Sequence, residues 1–174
     1  MNKKQIAILS IGNILYKDEG IALYASKYIE SNYSFLPRVD VIHGVQGMSL
    51  LNIFMEYKEI IVLDVIGIEE VAGSMYQFPM SVFRGFSTDE DDNDKAVLGC
   101  LNLIESKGNI LPEVSLLAII PDTIEPKIGL SDSLHKSFES YILMIVKSLE
   151  DKGFSSEAKA EKQTLESVIS SFSK

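Results

Sequence analysis

Apolar residues follow two rhythms along this chain. Short unbroken runs recur at 5–12, 38–43, 59–66, 73–79 and 113–120. Between them come longer stretches in which apolar positions return at helical spacing. A run such as Ile60-Ile61-Val62-Leu63 suits a strand buried on both faces, as strands of a parallel sheet are. Over 18–31, Ile21, Tyr24, Ala25, Tyr28 and Ile29 form one helical stripe, and Met48, Leu51, Phe54 and Met55 form another over 47–57. Further helices are predicted near 95–107, ending at Lys107-Gly108, and from Ser131 or Asp132 to Lys152, with Gly153 as the stop. Pro112 and Pro121 bracket the fifth strand. Strand and helix alternate, which predicts a single-domain α/β fold with a twisted, mostly parallel five-stranded sheet and helices on both faces. No internal repeat is present.

Composition narrows the class. The chain has 174 residues, 46% apolar and 24% charged, which suits one globular domain with a real core. The apolar runs are too short to span a membrane, and Lys3 and Lys4 are not followed by a signal-type apolar region, so a soluble cytoplasmic protein is expected. The one cysteine, Cys100, rules out an internal disulfide and a cysteine-based structural zinc site; it falls among Val97, Leu101 and Ile104 and is expected to pack there. A net charge of −9 argues against a duplex nucleic-acid surface.

The candidate chemistry sits at strand ends. The first strand runs through Gly12 into a polar turn with adjacent acids, Asp18 and Glu19, and the third ends in Asp64. Ligands of open parallel sheets sit beyond the carboxyl ends of strands, so Glu19 and Asp64 can share one crevice, as a metal or acid–base site would require. Asp18 is most simply a helix N-cap. A carboxylate directly after Ile60-Ile61-Val62-Leu63 is costly to bury unless it is paired or metal-bound. His43 ends the second strand and is balanced between ligand and hydrogen-bonded strand end. His135 has no evident partner, and the acidic run 89–94 reads as a solvated loop. The Gly12-to-Gly20 spacing lacks the dinucleotide fingerprint, and acids stand where phosphates would lie.

Several blocks, in order, resemble the endopeptidases that mature nickel-iron hydrogenases by removing a C-terminal tail from the large subunit. They are Ile11-Gly12-Asn13 through Asp18-Glu19-Gly20; His43-Gly44 with Gly47-Met48 and Leu50-Leu51; Val62-Leu63-Asp64; Gly73; and Ile120-Pro121 through Glu125-Pro126 to Ile128-Gly129-Leu130-Ser131. The resemblance runs from about Ile6 to Lys152 and implies a five-stranded, phosphorylase/hydrolase-like sheet between helices. It implies metal-binding positions at Glu19 and Asp64, and a third at Asp94, where the family carries a histidine four residues ahead of a leucine, here Leu98. It also implies catalytic roles for Glu19 and Asp64. His43 stands where the family's Asp-Gly-Gly-Thr-x-Gly block has its aspartate, and joins the candidate catalytic set as a histidine gained at one rim position where another is lost.

The implied partner is the hydrogenase large-subunit precursor, and the implied cofactor is nickel supplied by that substrate, or another divalent ion. No nucleic-acid or membrane partner is expected. The alternative function is a non-cleaving assembly factor that binds a large subunit. The resemblance defines a domain over 1–153, followed by a tail over 154–174. In the tail, Leu165, Val168, Ile169 and Phe172 recur at helical spacing. That stripe either docks on the body, on another copy (giving a homo-oligomer) or on the large subunit, or else it frays.

Overall fold

The computed structural model describes residues 3–44, 48–83 and 92–173, with the backbone alone at 48, 80, 83 and 92–96. Its strands are β1 (Lys4–Ser10), β2 (Tyr33–Leu36), β3 (Asp40–His43), β4 (Tyr57–Val65), β5 (Met75–Pro79), β6 (Glu113–Ile119) and β7 (Ser155–Ala158). Its helices are α1 (Ile21–Asn32), α2 (Met48–Glu56), α3 (Met80–Phe83), α4 (Asp92–Ser106), α5 (Asp132–Asp151) and α6 (Leu165–Ser171), and a 3-10 turn spans Lys17–Gly20. The main sheet has the order β3-β1-β4-β6-β5, parallel throughout except for β5, which runs antiparallel at one edge. This is the sheet that the alternating pattern predicts.

Both faces of the sheet are covered, which explains the unbroken apolar runs. One face packs Ile6, Ile8, Ile61, Leu63 and Leu117 against α1, α5 and α6. The other packs Ala7, Leu9, Ile60, Val62 and Ala118 against α2 and α4. Side chains alternate between the faces along each strand. From β1 the chain first moves to β3 and then crosses back to β4 on the other side of β1. The point of reversal lies between β1 and β4, and open parallel sheets bind their ligands beyond the carboxyl ends of the strands at such a point.

Three local readings need correction. The helix expected from 18 begins as a 3-10 turn and becomes α-helical only at Ile21. Asp18 is not an N-cap, for no side-chain capping bond forms at that turn or at α1. The helix expected from 95 starts at Asp92, so Asp92, Asn93 and Asp94 form its first turn instead of ending a loop. Residues 89–91 and Val45, Gln46 and Gly47 lie outside the described residues. Ser131 does cap α5, its hydroxyl accepting from the N–H of Leu134, and Gly153 takes the left-handed conformation after it.

The sequence pattern gave no sign of the second sheet, an antiparallel pair of β2 and β7. It fastens the tail to the segment after α1. Thr164 caps α6, whose Val168 is fully buried, and Phe172 meets Tyr24 edge-to-face at 5.5 Å between ring centres. Asn32 adds a bond in each direction: its amide donates to the carbonyl of Gln163, and its side-chain oxygen accepts from the Gln163 N–H. A helix of seven residues would be marginal alone, and its burial against α1 stabilises it here.

Candidate functional site

The switch point between β1 and β4 is flanked by the loop after β1 and the end of β4. At Gly12, φ is +147° and a Cβ would lie 2.2 Å from the carbonyl oxygen of Glu19, so only glycine lets the turn close on the strand end. The Glu19 carbonyl accepts from the N–H of Asn13 at 3.2 Å, and its own N–H donates to the carbonyl of Tyr16 at 3.0 Å. Glu19 itself is half-buried. On the neighbouring strand the N–H of Ile11 donates to the carbonyl of Leu63, which carries the β1–β4 ladder up to Asp64. Glu19 and Asp64 therefore stand at the same end of adjacent strands, across the switch point.

Asp64 is 7% exposed, and its Oδ1 accepts from the N–H of Val65 at 2.8 Å. Leu63 belongs to the face covered by α1 and α5, so alternation turns Asp64 to the face of α2 and α4. Its charge also reaches Tyr141, whose phenol is pushed well above its ordinary pKa, first by complete burial and then by Asp64. The Tyr141 hydroxyl donates to the carbonyl of Leu117.

Asp94 is placed by its backbone alone. α4 precedes β6 in the chain and packs Val97, Leu101 and Ile104 on the face to which Asp64 turns, and Asp94 lies in its first turn. Its side chain lies outside the described residues. Among the described residues, no three His, Cys, Asp or Glu side chains cluster closely enough to hold a metal ion.

His43 is not brought to the carboxylates. It pairs in register with Ser10, which pairs with Leu63, so it faces α1 while Asp64 faces the opposite way. Its Nε2 donates to Glu30 Oε2 at 3.2 Å, and its Nδ1 lies 2.8 Å from the hydroxyl of Ser26. Ser26, fully buried, is also hydrogen-bonded to Ser10 Oγ at 2.8 Å and to the carbonyl of Leu23 at 3.0 Å. Burial raises the Glu30 pKa, but hydrogen bonds from Lys27 and His43 outweigh it and leave the carboxyl below its ordinary value. Serine, histidine and glutamate thus stand in line, yet the serine is sealed from any substrate. Sequence reasoning missed this cluster, because Ser26 and Glu30 carry no motif.

Asp18 binds a distant loop instead of capping a helix. It is fully buried and its carboxylate accepts three main-chain N–H groups, from Asp122 at 3.0 Å, Thr123 at 2.8 Å and Ser131 at 2.6 Å. The loops that carry it are laced further: Lys17 N–H donates to the carbonyl of Lys127, Lys127 N–H to that of Leu15, and Asp18 N–H to that of Thr123. Lys17 Nζ meets Glu125 at 2.9 Å, and that bond raises the lysine pKa despite opposition from desolvation. Cys100, on α4, is half-buried against the cluster that packs that face of the sheet, and burial pushes its thiol up.

Known proteins share this fold. The hydrogenase maturating endopeptidase HybD from Escherichia coli superposes with a TM-score of 0.82 at 23% identity, covering 90% of this chain and 98% of that one. The NiFe hydrogenase maturation protease HybD from Thermococcus kodakarensis gives 0.66 at 19% identity, covering 83% and 98%. By sequence, the Hydrogenase 2 maturation protease of Escherichia coli (strain K12) is 23% identical over 152 residues, 86% of this chain and 93% of the relative. The family described as HycI, hydrogenase maturation protease, matches residues 23–148, a span that includes Asp64 and Asp94 and begins just after Glu19. With most of its length matched and its sheet shared, the chain belongs to the hydrogenase maturation protease family.

Proposed function

We propose that the protein is an endopeptidase that removes a C-terminal extension from the nickel-loaded precursor of a nickel-iron hydrogenase large subunit. One observation supports this reading: in a chain of the maturation protease family, Glu19 follows β1 and Asp64 lies near the end of β4, the two strands that flank the switch point. Nickel arrives on the substrate, and the two carboxylates offer it oxygen ligands. Asp94 is the third of the set, supported by the position of its backbone in the first turn of α4. Three carboxylates form a harder set than one containing imidazole and hold nickel less tightly, which suits an ion that leaves with the product. Another divalent ion held by the same oxygens would serve in the same way.

Hydrolysis needs water to add to the scissile carbonyl carbon, and the amine of the extension to leave with a proton. A cation beside the carbonyl oxygen stabilises the charge that develops there. A carboxylate of the pair can take the proton from water, within hydrogen-bond reach. His43 stays outside this set, since both ring nitrogens are engaged on the other face of the sheet. No helix among the described residues is long and apolar enough to cross a membrane.

The test is to incubate the protein with nickel-loaded precursor and with nickel-free precursor, and to follow the mass of each. Loss of a C-terminal peptide from the loaded form alone is expected. Binding of the precursor with no loss of mass would overturn cleavage in favour of a non-cleaving assembly factor.

A further inference from the structure

Asp18 is a fully buried acid that the chemistry above does not use. An ionised carboxylate leaves water only where donors replace its hydration, and here three main-chain N–H groups do so. All three belong to the connection between β6 and α5, more than a hundred residues along the chain. The turn that carries Asp18 is not a relaxed one. Lys17 sits at φ +41°, in the left-handed region that a lysine rarely takes, and Gly12 is pressed against the backbone of Glu19 from the other side. The turn is thus clamped between the end of β1 and the β6–α5 loop, and the next side chain along is that of Glu19.

We propose that Asp18 is a positioning residue for the cleavage reaction: its carboxylate ties the β6–α5 loop to the turn and so fixes the direction in which Glu19 enters the crevice. The inference rests on the reading of Glu19 given above. Its chemistry is specific to a carboxylate. An asparagine has one acceptor oxygen and one donor amide, so against three N–H groups it loses at least one bond and sets a donor against a donor. Misplacing a reacting group by about 1 Å can cost on the order of a hundredfold in rate.

The experiment compares four single variants with the native protein on nickel-loaded precursor, measuring kcat and KM separately. Asp18→Asn is expected to lower kcat about 30-fold and to leave KM within about threefold, because binding elsewhere on the precursor is untouched. Ser131→Pro removes the N–H that bonds Asp18 Oδ1 at a residue whose φ of −69° already suits proline. Ser131→Ala keeps that N–H and loses only the helix cap. Proline is expected to reproduce the fall in kcat, and alanine is not. Should Asp18→Asn fail to fold by circular dichroism, this pair carries the test. A folded Asp18→Asn with native kcat, or a proline variant no worse than alanine, would overturn the positioning role. Glu19→Gln reports on the underlying reading: native activity there would remove Glu19 from the site whatever Asp18 does.

Discussion

Two strand ends in this molecule look alike in sequence and differ in what surrounds them. Asp64 is the last residue but one of β4, and His43 is the last of β3, each a polar residue at the carboxyl end of a parallel strand. Asp64 turns toward α2 and α4, at the point where the chain reverses direction across the sheet. His43 turns toward α1, where Ser26 and Glu30 take both ring nitrogens. A polar residue at a strand end is therefore not a site by itself. The face to which it turns, and the loops that part in front of it, decide whether it meets a ligand or closes a structural cluster.

The largest expected effect that would break this contrast comes from Asp64→Asn. It keeps size and hydrogen bonding but removes the charge that a cation requires, and cleavage of nickel-loaded precursor is expected to fall at least about a hundredfold with the circular dichroism spectrum unchanged. Normal processing by this variant would sink the crevice as the site.

Metal preference comes next. Asp94→His gives the set an imidazole, and calorimetry with nickel, zinc or cadmium should show binding tighter by about tenfold. Unchanged affinity would take Asp94 out of the set.

His43→Ala tests the other strand end. Cleavage is expected to stay within about threefold of native, while stability to urea drops by about 1–2 kcal/mol as buried Ser26 and half-exposed Glu30 lose a partner. A collapse of kcat with stability intact would return His43 to the chemistry.

The smallest effect is a pH dependence. The Glu30 carboxyl is held below its ordinary value of 4.5 in the folded protein, by Lys27 and His43 against the opposing effect of burial. A depressed folded value adds stability above the unfolded value, and that stability is lost as the pH falls through the folded one. Urea midpoints should therefore fall on acidification below 4.5 a little more for the native protein than for Glu30→Gln. The difference is small because the side chain is 43% exposed and screened by solvent. Equal slopes would show that the His43 cluster carries no charge coupling.

Much of the fold was legible because its signals are local. Apolar runs such as Ile60-Ile61-Val62-Leu63 can only be strands covered on both faces, and Ser131 and Gly153 mark the ends of α5 by their own chemistry. The β2–β7 pair was not legible. Tyr33–Leu36 and Ser155–Ala158 are four residues each, mostly exposed or half-exposed, and stable only through their pairing and the packing around them. The stripe in the tail could be seen, but not the surface that receives it.

The sequence by itself determined the class of fold and the strands of its main sheet, because buried strands are written in residues close together. The tertiary structure alone decided what Asp18 and His43 do. Asp18 is a lone acid in a turn until the β6–α5 loop brings three N–H groups to it. His43 is a rim histidine until the register of β3 on β1 turns it toward Ser26 and Glu30. A shift of one residue would have turned it the other way, because side chains alternate between the faces of a sheet, and only packing across the whole chain fixes that register.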